Sequence, residues 1–600
     1  MPKNLTTVLA AVVVGAAGLA LTSGTHAAAA TDDTPGYSVQ AITVDVKVGP
    51  ADEQSCRVDA DLYLPDGASA THKVPAILTT NGFGGNKADG NQSAIGKGFV
   101  QQGYAVISYS GLGFGHTNCK ITMDDPDWDG KAGKGMVDVF AGTRPYLTEG
   151  SSTPHFLRNI SLQKPGDPRL GMIGGSYGGQ IQYAVAEQDP RVDTIIPIIT
   201  WNDLTYSLAP GNVAKKEWVD LFFGDGIVSG VQTANQDPET LRVCPNFVDQ
   251  ACIGAIALNT QGYPDAGTVA LAKHASVASY VKRIKIPTLL VQGQKDTLFN
   301  LNEAVATYRS LQAQQTPVKM IWQSWGHSDS TPVPGELDFG AKSLRDSYLG
   351  NRLLDWMNHY VKGVSSASTG PNFEYYRDWV KYDTSAAKAG TAVGAAYARS
   401  STVSWDPNHT LYFTGGHELT PTRSAAVASS ASYANAPGAP TSYSETSGVE
   451  GSQVNLPPSD APGTFVSFTT DPLSAPADVV GSPKVTLKLS TPTAGYTQIG
   501  GPSGQLVLFA KIYDIAPDGS KVLKNRLIAP MRVADTNKLV TVRLPGIVHR
   551  FATGHRIQVA IAASDAAYAG NTLVQPVAVM SGPDSGSTLG LPVVGQLTFQ

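Results

Sequence analysis

The feature that most constrains the fold is a series of short apolar runs, each closed by a glycine-rich or polar loop and set between helical patterns. "KVPAILTTNGFGG" (73–85), "GYAVISYSGLGFG" (103–115), "RLGMIGG" (169–175), "DTIIPIIT" (193–200) and "IPTLLVQG" (286–293) are such runs. "PVKMIWQS" (317–324) is a weaker one. They are short, apolar at consecutive positions and rich in Ile, Val and Leu, so they predict strands buried on both faces. Between them "GQIQYAVAEQDP" places Ile181, Ala184 and Val185 on one helical face and stops at Asp-Pro. "SLRDSYLGNRLLDWMNHYVKG" reads as an amphipathic helix with Gly363 as its stop. Buried strands alternating with helices predict an α/β domain around a mostly parallel sheet.

Six hundred residues exceed one core, so further domains are expected. The alternation breaks over 202–285, which reads as an inserted cap containing Trp218, Phe222, Phe223, Cys244 and Cys252. A catalytic domain over 37–371 follows. Beyond about 372 helical periodicity fades. "SAAVASSASYANAPGAP" (424–440) reads as a small-residue loop. "PKVTLKLST", "QLVLFAKIYD", "KLVTVRLPG" and "HRIQVAIAAS" then alternate strictly, with turn signals such as "APDGS" between them. Residues 372–600 are therefore expected to form an all-β sandwich or jelly roll.

The first thirty residues have the pattern of a secretory signal. Lys3 precedes the apolar "TVLAAVVVGAAGLAL", and small residues at "THAAAA" suit cleavage near Ala27–Ala30. The apolar run is shorter than the ~20 residues of a membrane span. Export to the extracellular space puts the four cysteines in an oxidising compartment. Cys244 and Cys252 lie close enough to close a small loop, leaving Cys56 and Cys119 to pair, although four cysteines allow three connectivities. Metal spacing such as C-x-x-C is absent. A net charge of −5 is too weak to suggest nucleic acid or an anionic membrane as a partner.

The chemistry centres on Gly174-Gly175-Ser176-Tyr177-Gly178. In a chain with 62 glycines a G-x-S-x-G match says little alone. Here it lies between a buried strand and a helix, the context of a nucleophile elbow. A serine hydroxyl needs a base, and in such a fold the acid and the histidine follow in that order. Asp296 ends the strand in "LLVQGQKD", and His327 follows the next strand in "KMIWQSWGH". Both sit at the carboxyl ends of strands, where an α/β sheet collects its active site. The oxyanion donors expected are the backbone N–H of Tyr177 and that of Phe83, in the glycine loop 79–87. "DPDWDG" (125–130) matches the first half of a calcium loop, but Met136 stands where a bidentate Glu is required. It reads instead as a solvated acidic loop capping the next helix. Neither a metal nor a cofactor is expected.

"DPRLGMIGGSYGGQIQYAVAEQDPRVDTIIPIITWNDL", "PTLLVQGQKDTLFN", the "WGH" loop and "IVHRFATGHRIQVAIAASD" together resemble the X-Pro dipeptidyl-peptidase-like hydrolases, which include cocaine esterase and related acyl esterases. The resemblance implies an α/β-hydrolase core, an inserted helical cap and a C-terminal jelly-roll domain. It maps a catalytic triad onto Ser176, Asp296 and His327. One position departs. The esterases of the group often donate a Tyr hydroxyl to the oxyanion from the loop after the early strand, and here that loop carries Phe83.

Three functions are open at this point. One is a secreted esterase that cleaves small-molecule acyl substrates through an acyl-enzyme. Another is a peptidase that releases Xaa-Pro dipeptides, using cap carboxylates such as Glu217, Asp220 or Asp225 to hold a free α-amine. The third, a catalytically silent binding protein, sits poorly with an intact triad. Substrate size and oligomeric state are not encoded in any pattern found.

Overall fold

The computed structural model describes residues 36–233, 243–400, 404–435 and 460–600. The signal-like segment 1–30 lies outside these residues. No helix among them is long and apolar enough to cross a membrane.

The apolar runs become the middle of an 11-stranded sheet. Its parallel part runs, in spatial order, through Phe373–Tyr376, Val318–Gln323, Thr288–Gly293, Thr194–Ile198, Leu170–Gly175, Ala76–Thr80 and Ala105–Tyr109. Antiparallel strands Gln54–Pro65 and Tyr37–Val48 extend one edge, and Tyr397–Ser400 closes the other. Side chains leave each strand alternately to either face. Ala76, Leu78, Met172, Ile195, Leu290 and Trp322 enter one core, with helices Lys131–Phe140, Tyr177–Gln188 and Leu301–Ala313. Ile77, Ile173, Ile196, Leu289 and Ile321 enter the other, with helices Gly90–Val100 and Tyr348–Tyr360. Burial on both faces is why the sequence shows runs and not alternation.

The first sheet does not end at 371. Phe373–Tyr376 pairs in parallel with Val318–Gln323, and Tyr397–Ser400 pairs back on it. The expected break comes early because two short edge strands end the α/β sheet directly before the β half begins. The described residues of 202–285 include helices Lys216–Thr233, Asp249–Thr260 and Ala266–His274, inserted between strands Thr194–Ile198 and Thr288–Gly293.

The C-terminal half is a β-sandwich. A 12-stranded sheet and the three-stranded set Ala477–Gly481, Ile547–Phe551 and Val593–Val594 share one core, with Leu411, Phe413, Val479, Leu508 and Ile561 among its members. The loop expected over 424–440 is corrected in part: Ser429–Asn435 is a strand paired with Gln575–Ser581. Ala431 and Tyr433 point inward while Ser430 and Ser432 face out. Alanine standing at an inward position hides that period. Residues 436–440 lie outside the described residues.

The two halves share a seam. Ala209, Val213 and Val219 of the cap pack with Val507, Phe509, Tyr513 and Tyr568 of the sandwich. The Ala569 N–H donates to the Ala214 carbonyl at 2.9 Å, and Asn525 Nδ2 to the Gln294 carbonyl at 2.9 Å. Trp405, Val480 and Val548 enter the core of the α/β half. Both cystines pair as Cys56–Cys119 and Cys244–Cys252.

Candidate active site

Ser176 occupies the turn between strand Leu170–Gly175 and helix Tyr177–Gln188, at φ 57° and ψ −121°. A non-glycine residue held there is strained, and such strain concentrates at functional turns. The glycines around it are required by space. A Cβ on Gly178 would lie 2.3 Å from the Thr80 carbonyl oxygen, and one on Gly174 2.6 Å from that of Gly178. The helix is thus drawn down against its neighbour strand, and Ser176 is lifted clear of the sheet.

His327 Nε2 lies 2.8 Å from Ser176 Oγ, and His327 Nδ1 lies 2.7 Å from Asp296 Oδ2. Asp296 is fully buried, and its other oxygen accepts the Phe299 N–H at 2.7 Å. The acid and histidine loops pack backbone to backbone. A Cβ on Gly326 would lie 2.6 Å from the Lys295 carbonyl oxygen, and the Ser328 N–H donates to that same oxygen at 3.1 Å. The three residues named from the sequence therefore converge although 151 positions separate the first from the last.

Tyr177 is the first residue of its helix, where the N–H has no intrahelical acceptor. Phe83 lies close by, its ring 5.6 Å from the Tyr177 ring and 5.1 Å from those of Phe114 and Phe222. A chamber at Ser176 is lined by Phe83, Met123, Trp201, Leu204, Leu208 and Phe299, with Tyr177 and Phe222 completing it. Among the described residues no charged side chain lines it.

Sequence reasoning missed the supports of the acid loop. Lys215, buried at the start of the cap, donates from Nζ to the carbonyls of Thr297 and Leu298. Trp218 Nε1 donates to Thr297 Oγ1 at 3.2 Å, and Thr297 Oγ1 meets Ser328 Oγ at 2.6 Å. The cap thus grips both triad loops. Long sequence separation leaves no local signal for such contacts.

The loop 125–130 is a correction. It is a single π-helical turn, Pro126–Gly130, and it is not solvated. Asp125 does cap it, accepting the Asp127 N–H at 2.8 Å. Asp124 and Asp129, however, are buried behind Tyr177, and the Asp124 N–H donates to Tyr177 Oη at 3.0 Å. Apolar positions of the flanking helix pull the turn inward. Asp125, Asp127 and His274 also approach one another, with His274 Nε2 3.2 Å from Asp125 Oδ2.

Burial raises the Asp129 carboxyl to about 7 against the bonding Thr122 hydroxyl, with the Asp125 charge adding to the rise. In the unfolded chain it ionises near 3.8. Stability from this group is whole at low pH, is lost as pH climbs through that interval, and levels off above about 7. The loss reaches about 4 kcal/mol at most, since each tenfold change in proton affinity is worth ~1.4 kcal/mol. The thermal midpoint is expected to fall between about pH 4 and pH 7, and Asp129→Asn to flatten that slope. An unchanged slope in Asp129→Asn would count against a buried, late-ionising carboxyl.

Residues 54–329 match the family model for X-Pro dipeptidyl-peptidase (S15 family), and residues 379–574 match that for the X-Pro dipeptidyl-peptidase C-terminal non-catalytic domain. No curated protein matches the chain in sequence. Several solved structures share the whole architecture. An aminopeptidase from a marine sediment archaeon, Thaumarchaeota archaeon, aligns over 96% of this chain and 99% of its own, with TM-score 0.65 and 14% identity. An alpha-amino acid ester hydrolase aligns over 95% and 98%, with TM-score 0.61 and 15% identity. A CocE/NonD family hydrolase from Staphylococcus aureus aligns over 94% and 97%, with TM-score 0.60 and 14% identity. At these identities the likeness concerns the fold, while the two family models cover both halves in order. The two halves of the chain match in order the catalytic and C-terminal models of one family, and the chain belongs to the X-Pro dipeptidyl-peptidase (S15) family of serine hydrolases.

Proposed function

We propose that this serine hydrolase is a secreted acyl esterase acting through Ser176, His327 and Asp296. Ser176 Oγ attacks the ester carbonyl as His327 Nε2 takes its proton. Asp296 holds Nδ1–H and stabilises the imidazolium. The Tyr177 and Phe83 N–H groups receive the developing oxyanion. Collapse breaks the C–O bond, and the alcohol leaves with the proton from His327. Water, activated by the same histidine, then frees the acid and restores Ser176.

The observation that carries the ester reading is the chamber at Ser176, apolar and, among the described residues, without a carboxylate to hold a free α-amine. A buried ammonium without a counter-charge would lose its hydration unrepaid. One observation favours the dipeptidyl-peptidase reading. Asp225 stands over the oxyanion loop, 3.8 Å from where a Gly84 Cβ would be, with its carboxyl raised by burial. Asp220 instead accepts from Asn259 Nδ2 at 2.6 Å. Two disulfides in the fold agree with an oxidising compartment.

The test sets p-nitrophenyl acetate beside Ala-Pro p-nitroanilide. The acetate is expected to turn over and the anilide to resist. Efficient anilide cleavage that is lost on blocking the amine, and lost again in Asp225→Asn, would replace this reading with the peptidase.

A further inference from the structure

The chamber at Ser176 is small, about 20 Å³, but it does not end the apolar space. A second chamber of about 90 Å³ lies against it, between the cap helices and Met123. Four side chains line both: Met123, Leu204, Leu208 and Phe222. The far walls come from three cap helices, through Val219, Phe223, Ala251, Leu258 and Ala272. Gln250 and Thr268 are the polar side chains among its lining, and among the described residues no charged one occurs there. An apolar space that reaches a nucleophile is suited to an alkyl chain.

We propose that this two-chamber space is the acyl-chain site, and that the enzyme prefers unbranched acyl groups of about five to six carbons. The proposal rests on the esterase reading above. His327 delivers the proton to the departing oxygen, so the alcohol leaves on its side of Ser176. His327 does not line the first chamber, whereas Tyr177 and Phe83 of the oxyanion loops do. The chamber therefore takes the acyl side of the bond. The first chamber holds about one carbon beyond the carbonyl. The second holds about three more, at roughly the 30 Å³ share of a water-sized group. Met123, Leu204, Leu208 and Phe222 form the waist through which the chain passes.

The experiment is a kcat/KM series over p-nitrophenyl acetate, butyrate, hexanoate, octanoate and decanoate. A second series holds the acyl group at acetate and lengthens the alcohol. The first series is expected to rise about fourfold for each of the roughly three methylenes that the second chamber holds, so that hexanoate exceeds acetate on the order of sixty-fold, with no further gain beyond it. Ala251→Leu and Ala272→Leu, which fill the second chamber from facing helices, are each expected to cut the hexanoate-to-acetate ratio at least tenfold. Titration with a fluorophosphonate normalises each variant to its folded active sites, so a misfolded variant is recognised and the other is used. A flat or falling acyl series, or a rise confined to the alcohol series, overturns the proposal while acetate turnover leaves the esterase reading standing. Failure of every ester overturns the esterase reading itself.

Discussion

Ser176→Ala is expected to abolish ester turnover, lowering kcat by roughly 10⁴- to 10⁶-fold, with a residue of activity from the oxyanion donors alone. The size follows from the geometry. Without Oγ there is no acyl-enzyme, and His327 Nε2 loses its 2.8 Å partner. The fold is not at stake, since the turn is fixed by glycine contacts with Thr80 and Gly178 that the substitution does not touch. The measurement is steady-state hydrolysis of p-nitrophenyl acetate beside fluorophosphonate labelling. Both should vanish together. Labelling of Ser176→Ala at the parent's rate would move the nucleophile elsewhere.

Asp296→Asn is the second large effect, a fall in kcat of about 10⁴-fold. An amide is nearly the shape of the carboxylate. Its oxygen can still accept the Phe299 N–H now bound at 2.7 Å. The amide nitrogen would then face His327 Nδ1 and accept nothing, so the ring is driven to the tautomer with its proton on Nε2. That tautomer cannot take a proton from Ser176. KM should change little beside kcat, because Asp296 does not line the chamber. Asp329 is the rival acid, two residues after His327 in the histidine loop, but Lys295 holds it at 2.7 Å and its other oxygen accepts the Thr331 N–H. Loss of less than tenfold in Asp296→Asn, with a large loss in Asp329→Asn, would transfer the role.

These three residues are legible in the sequence because each sits where a local pattern ends: Ser176 between run and helix, Asp296 and His327 just after runs. The burial of both sheet faces makes the α/β half legible for the same reason. The cap's contribution is not. Lys215 reaches the carbonyls of Thr297 and Leu298 across 82 and 83 positions, and a chain of bonds through Trp218, Thr297 and Ser328 has no spacing of its own. Asp129 escapes for a related reason. Its short acidic stretch resembles a surface loop until the helix Tyr177–Gln188 is laid against it, and only tertiary packing decides that. The domain boundary slips because edge strands of one sheet and strands of the next share one composition.

The seam bears on how this chain can be cut or recombined. Val507, Phe509, Tyr513 and Tyr568 of the sandwich cover cap residues Ala209, Val213 and Val219, while Trp405, Val480 and Val548 fill the α/β core itself. The same cap start that meets Ala569 carries Lys215 to the acid loop. An engineer who trims the enzyme to its hydrolase half would strip a wall from the catalytic half and loosen the floor under Asp296 with the same incision. The β half is non-catalytic in the way a keystone is not a passage, and a shorter enzyme would have to be redesigned along that face before it could be shortened.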